Sequence, residues 1–190
     1  MKTLVPLAPT IEYSNKKVRL IDQTKLPIEE KYIITDDYKE VCAAIYRLSI
    51  RGAPAIGVAG AYASVLVSDS IGTNDKKSFL DQFLTKTNEI ANTRPTAINL
   101  RWAVKKMQQK AENFDGNIEE LKLELLELAH DIKNDDIIRC HNLCLNGSDL
   151  IPDSSNVITI CNTGGLATSG IGTALGVIQY AHAKGKDLKV

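Results

Sequence analysis

The order of patterns along these 190 residues predicts an α/β chain, with small N-terminal β pieces and a mainly helical N-terminal domain followed by the beginning of a doubly wound parallel sheet. Three observations carry that prediction. Short β-like runs bounded by turn residues occupy the first 36 positions. Apolar residues then recur at spacings of three and four as far as about residue 132. Finally, the β-branched run Val157-Ile158-Thr159-Ile160 is followed by a glycine-rich stretch and a further helical pattern, the order of a βαβ unit.

Taken in order, Val18 to Ile21 and Tyr32 to Ile34 are the β pieces, separated by the turn Asp22-Gln23-Thr24-Lys25-Leu26-Pro27. Asp36 or Asp37 caps a first helix with Val41, Ala44, Ile45 and Leu48 on its apolar face, stopping at Arg51-Gly52. Pro54, whose missing N–H costs nothing at a first helical position, opens an alanine-rich second helix to about Val67. A third helix covers roughly Lys77 to Asn92. A fourth is expected from Arg94-Pro95-Thr96 to about Asn113, opened by Pro95. Asn117 with Glu120 reads as a capping box for a long fifth helix, with a break expected near Asn134-Asp135. Gly147 and Pro152 then punctuate the chain, which places a domain boundary between 1–147 and 148–190. Val157 to Ile160 reads as a buried parallel strand, Thr173 to Lys184 as a helix stopped by Gly185, and Leu188 to Val190 as the start of a second strand. Residues 148–190 thus read as the beginning of a truncated Rossmann-like domain.

Composition narrows the function classes. Hydrophobic residues make up 44% of the chain, enough for a substantial core. The 23 basic residues offset the 23 acidic ones, so no global field favours nucleic acid or an anionic membrane, and any bound anion must be held locally. Pro6 and Pro9 interrupt the apolar N-terminal stretch, and no charge-free run reaches membrane-spanning length. A cytoplasmic protein with free thiols is the expectation for its four cysteines.

Two turns are candidates for anion binding. In Arg51-Gly52-Ala53-Pro54 the amides of Gly52 and Ala53 lie at a helix N-terminus, where the dipole favours negative charge, and Arg51 adds a planar fork of donors. Arg94-Pro95-Thr96 repeats the design, and two such termini converging on one point would bind a phosphate dianion. Each alone reads equally well as a tight turn with a solvated arginine. Cys161 follows the predicted strand and precedes Asn162-Thr163-Gly164-Gly165, the carboxyl edge where ligands of parallel sheets bind. Free amides there would favour a thiolate or proton-transfer role, against the simpler reading of a buried strand-end cysteine.

Other constellations carry less. Gly170, Gly172 and Gly176 give GxGxxxG instead of the dinucleotide spacing, so no nicotinamide or flavin cofactor is expected. Cys140 and Cys144 share a helix face, but two ligands do not make a zinc centre, so no metal is expected. Cys42 reads as core, and His130 and His182 as residues on or near helix surfaces.

Three segments together carry a family resemblance: Ile50-Arg51-Gly52-Ala53-Pro54-Ala55-Ile56-Gly57; Arg94-Pro95-Thr96-Ala97-Ile98-Asn99-Leu100 with Trp102; and Thr159-Ile160-Cys161-Asn162-Thr163-Gly164 running into Thr168 and Gly172-Thr173-Ala174-Leu175. In this order they resemble the methylthioribose-1-phosphate isomerases, as does the Asp22-Gln23-Thr24-Lys25-Leu26-Pro27 turn. The resemblance implies an aldose–ketose isomerase of methionine salvage that converts 5-methylthioribose 1-phosphate to its ribulose isomer with no cofactor. It implies that Arg51, Gly52, Ala53 and Arg94 hold the phosphosugar and that Cys161 sits at the reacting centre. It also implies a homodimer for the full-length family, whose members are nearly twice this length and carry a proton-donating aspartate in a downstream segment. A 190-residue chain alone is therefore expected to be inactive, being a split-gene half that works with a separately encoded C-terminal half, a truncated reading frame or a fragment. Two alternatives stay open: a regulatory subunit of the translation-initiation exchange-factor superfamily, whose members generally lack the Arg51 and Cys161 sequences, and an isomerase of another pentose 1-phosphate such as 5-deoxyribose 1-phosphate.

Overall fold

The computed structural model describes residues 8–190. The expectation that Pro6 interrupts an apolar stretch lies outside the described residues; the proline at position 9 lies inside them. Strands β1 (Ile11–Ser14), β2 (Lys17–Ile21) and β3 (Tyr32–Thr35) form an antiparallel meander in the order β1-β2-β3. The sequence reading caught β2 and β3 and missed β1. Ile11, Val18 and Leu20 point inward and are buried, while Arg19, on the opposite face, pairs with Glu12 at 2.7 Å.

Six helices follow the meander, and the second is their hub. Helix α1 (Tyr38–Tyr46) is capped by Asp37, whose carboxylate accepts the Lys39 amide, and it ends five residues before the expected stop. The cause is Leu48, which turns into the left-handed region at φ 65° and is 41% exposed instead of continuing the apolar face. Helix α2 (Ala53–Ser70) has every residue from Ala55 to Ser68 buried. A helix apolar on all sides must be surrounded, and α2 touches β1, β2, α1, α3 (Lys76–Asn92), α4 (Ile98–Asn113) and α5 (Ile118–Leu150). Its small residues allow that crowding: a Cβ on Gly60 would stand 2.6 Å from Leu100 Cδ1.

Two boundaries differ from expectation. Helix α4 opens at Ile98, because residues 94–97 form a turn closed by the Ala97 amide on the Arg94 carbonyl at 2.9 Å; Pro95 sits in that turn and not at the first helical position. Helix α5 keeps its Asn117–Glu120 capping box but runs through Asn134-Asp135 without a break. Neither residue is a glycine or proline, each costs only about 0.7 kcal/mol in a helix interior, and Asp135 pairs with Arg139 one turn on at 2.6 Å. Gly147 lies inside α5, where a Cβ would meet Val177 at 2.9 Å, so it permits close packing of α6 (Ala174–Ala183).

The expected buried strand over 157–160 is not formed. Strand β4 covers Ser155–Asn156 and pairs in parallel with β5 (Leu188–Lys189), while Ile158 and Ile160 are 96% and 86% exposed. Among the described residues two strands of two residues each have no further strand beside them and no layer over both faces, so the β-branched run has nothing to be buried against.

Candidate functional site

The turn between α1 and α2 is shaped by Gly52, which takes φ 95° as the N-cap of α2 and offers no side chain to cap the first-turn amides. Its missing Cβ is a packing requirement as well: that atom would lie 2.4 Å from Ala167 Cα and 2.7 Å from Ala167 O. The loop that follows Cys161 is thereby seated directly on the Arg51 turn. Gln23, from the turn after β2, ties the two together. It is 2% exposed, its Oε1 accepts Arg51 Nε at 3.3 Å, and its Nε2 donates to the Leu166 carbonyl at 2.7 Å. Thr10 Oγ1 adds a donor to the Gly165 carbonyl at 2.8 Å. Arg51 uses only Nε in this bridge, and its terminal nitrogens make no hydrogen bond among the described residues.

The other side of the loop is held by α5. Asp136 Oδ2 accepts the Ser169 amide at 2.6 Å, and the Cys140 thiol lies 3.7 Å from Asp136 Oδ1. The Cys144 thiol donates to the Gly172 carbonyl at 3.7 Å. Asp136 and Cys144, two turns apart on α5, thus hold the loop from one helix face. Burial, followed by the charge of Asp136, pushes the Cys140 thiol up to about 11, so it is a neutral thiol at ordinary pH. Burial also raises the Asp136 carboxyl. Cys42 is half-buried, and His130 stacks edge-on against Tyr62 and accepts or donates a hydrogen bond to its hydroxyl at 3.0 Å.

Cys161 is exposed and lies in the left-handed region at φ 73°. A non-glycine residue held there costs about 1–3 kcal/mol, and such positions cluster at functional sites. Arg94 is half-buried, and its guanidinium makes no hydrogen bond or ion pair among the described residues. A cavity of about 570 Å³ lies beside these segments. Pro54 of α2, Ile98 and Asn99 of α4, and Thr173, the N-cap of α6, all line it. Three helix N-termini therefore face one space, the convergence that sequence could not show, and their dipoles favour an anion there. Arg51, Gly52, Ala53, Arg94 and Cys161 do not themselves line the cavity; Pro54 directly follows Ala53, Ile98 lies one turn beyond Arg94, and the Thr173 amide donates to the Thr163 carbonyl at 2.8 Å.

Sequence reasoning missed Gln23 and Asp136. Gln23 lay in plain view within a polar turn, where nothing marks a residue as buried. No group of three or more His, Cys, Asp or Glu that could hold a metal occurs among the described residues, and no described helix is long and apolar enough to cross a membrane.

A helical body with three helix N-termini lining one cavity, carrying a glycine-rich loop, defines an α/β protein. Residues 49–190 match the model of the Initiation factor 2 subunit family, and the chain belongs to that family. It is 44% identical over 181 residues to a methylthioribose-1-phosphate isomerase of Desulforamulus reducens, covering 95% of this chain and 52% of that one. It is 46% identical over 182 residues to one from Geobacter sulfurreducens, covering 95% and 53%. The crystal structure of 5-methylthioribose 1-phosphate isomerase from Pyrococcus horikoshii OT3 superposes with a TM-score of 0.89 at 34% identity, over 95% of this chain and 51% of that one. The delta subunit of translation initiation factor eIF-2B from A. fulgidus superposes at 0.83, also at 34% identity, over 95% and 52%. The chain spans about half the length of these relatives.

Proposed function

We propose that this chain is the phosphate-holding half of an aldose–ketose isomerase that converts 5-methylthioribose 1-phosphate to 5-methylthioribulose 1-phosphate in methionine salvage. The observation that carries the reading is the convergence of the α2, α4 and α6 N-termini on one cavity, with the loop after Cys161 seated on Gly52. In this reading the Arg51 fork, the amides of Gly52 and Ala53, and Arg94 hold the phosphate dianion through charge-assisted hydrogen bonds. Cys161 is the proton-transfer group at the reacting carbons. The reaction is redox-neutral overall: the bond from C1 to the ring oxygen breaks, the freed C4 oxygen takes a proton, the hydrogen on C2 moves to C1, and the C2 hydroxyl gives up its proton to become the ketone, with the phosphate still on C1.

The domain division follows the same reading, with residues 1–147 as the helical body and 148–190 as the start of a sheet domain that a second polypeptide segment completes. A cytoplasmic location and a homodimer of the completed protein belong to the proposal. The likeness to the eIF-2B delta subunit supports a second reading, a non-catalytic interaction protein, because fold does not decide function. Turnover assays separate the two. The 190-residue chain mixed with the C-terminal half of a curated relative should isomerise 5-methylthioribose 1-phosphate, and Cys161→Ser should abolish that rate. Undiminished turnover in Cys161→Ser would refute the role of the thiol, and stable complex formation without phosphosugar turnover would favour the interaction protein.

A further inference from the structure

Resting on the phosphosugar reading, we infer that Gln23 is a positioning residue, which transmits the seating of a phosphate dianion on Arg51 to the turn that carries Cys161. The bridge demands an amide. An arginine Nε–H can only donate and a peptide carbonyl can only accept, so a side chain joining Arg51 to the Leu166 carbonyl must offer an acceptor at one end and a donor at the other. Glutamine does both. Glutamate would keep the first bond and lose the second, and leucine would make neither. The residue itself is pinned, because it is 2% exposed and its backbone amide donates to the Ser49 carbonyl at 2.9 Å, two residues before Arg51.

From Leu166 the path to the thiol is short. The segment from Gly164 to Gly172 is closed into a loop by a bridge between those two residues, and at its neck the Thr173 amide donates to the Thr163 carbonyl at 2.8 Å. Cys161 stands just outside the neck, and the hydroxyls of Thr159 and Thr163 meet across it at 3.0 Å. A shift of Leu166 therefore carries the loop, its neck and the Cys161 turn together. Thr10, Asp136 and Cys144 also fasten this loop, but none of them bonds to Arg51. Among the described residues the Gln23 amide alone joins the loop to the guanidinium by hydrogen bonds. The terminal nitrogens of Arg51 are left for an anion, and a dianion engaging that planar fork fixes its plane and with it the direction of Nε toward Gln23.

The test measures how fast an uncharged dithiodipyridine modifies Cys161 in the 190-residue chain as inorganic phosphate is raised to saturation at constant ionic strength. Calorimetry on the same sample gives the phosphate affinity. Saturating phosphate should slow the modification roughly fivefold or more in the wild type. In Gln23→Leu phosphate should still bind, more weakly, and the Cys161 rate should no longer respond to it. Gln23→Glu, which keeps the bond to Arg51, should behave alike and stands in should the leucine variant fail to fold. A merely structural Gln23 would change stability or the phosphate-free rate and preserve the response, as would a phosphate charge acting directly on the thiol. A response kept in a folded variant, or a wild-type rate that ignores bound phosphate, would therefore overturn the positioning role and leave the phosphosugar reading standing. Loss of phosphate binding in the folded variants would assign Gln23 to the anion grip itself and likewise overturn the role. No phosphate binding by the wild type would overturn the phosphosugar reading and the inference with it.

Discussion

Gln23 shows how much of the candidate site depends on one buried amide. It uses both ends of its side chain, one toward Arg51 and one toward the Leu166 carbonyl, so Gln23→Leu removes the bridge without removing either partner. The variant should lose about 1 kcal/mol of stability and bind phosphate several-fold more weakly, read by urea denaturation and phosphate titration on the same sample. Gly52→Ala should be harsher, because the new methyl would meet Ala167 backbone atoms that cannot swing aside and φ 95° disfavours any side chain. A loss of about 2–4 kcal/mol is expected from strain and overpacking combined. The thiols divide just as sharply. Burial raises Cys42, Cys140 and Cys144, whereas Cys161 is exposed. A disulfide reagent at pH 8 should therefore modify one thiol quickly, and Cys161→Ser should remove that phase; a fast phase surviving in the variant would contradict the placement.

Between elements, the contact to test is that of α5 with the glycine-rich loop. Asp136 is the carboxylate in that contact, and burial is the largest cause of its raised pKa, with Asp135 adding to it and the bonds from Ser169 and Cys140 opposing it. A carboxyl raised on folding binds its proton more tightly in the native state, so its contribution to stability is full below the unfolded pKa and is lost as pH rises through the folded one. Asp136→Asn keeps an oxygen for the Ser169 amide and removes the titration. Its urea midpoint should fall less than that of the wild type between pH 4 and pH 7, and an identical fall in both proteins would refute the assignment. The long helix is legible up to this contact and not beyond: Asn117 and Glu120 announce its start, whereas Gly147 reads as punctuation until α6 is seen packed against it.

For the molecule as a whole, cohesion is uneven. Helix α2 is enclosed by the meander and four helices, while β4 and β5 share only the register of Ser155 with Leu188 and Asn156 with Lys189. Few buried apolar contacts and short ladders mean easy local opening. Amide hydrogen exchange should therefore show the α2 core opening only with global unfolding and residues 155–160 and 187–190 exchanging orders of magnitude faster; equal protection would overturn this. Binding of a completing sheet segment should slow exchange at Ile158 and Ile160, the apolar residues left outward.

Local chemistry was legible along the chain because it needs only neighbours. The capping box at Asn117, the helical periods and the polar turn at 22–27 all follow from spacing and from backbone or side-chain rules acting over a few residues. The three motif segments likewise pointed to one family before any packing was known. Tertiary structure alone decided what depends on partners distant in sequence. It buried Gln23 between Arg51 and Leu166, brought three helix N-termini to one cavity, and left Ile158 and Ile160 uncovered despite the apolar composition of their run. Burial and convergence are properties of what stands opposite a residue, and a linear pattern does not say what stands opposite.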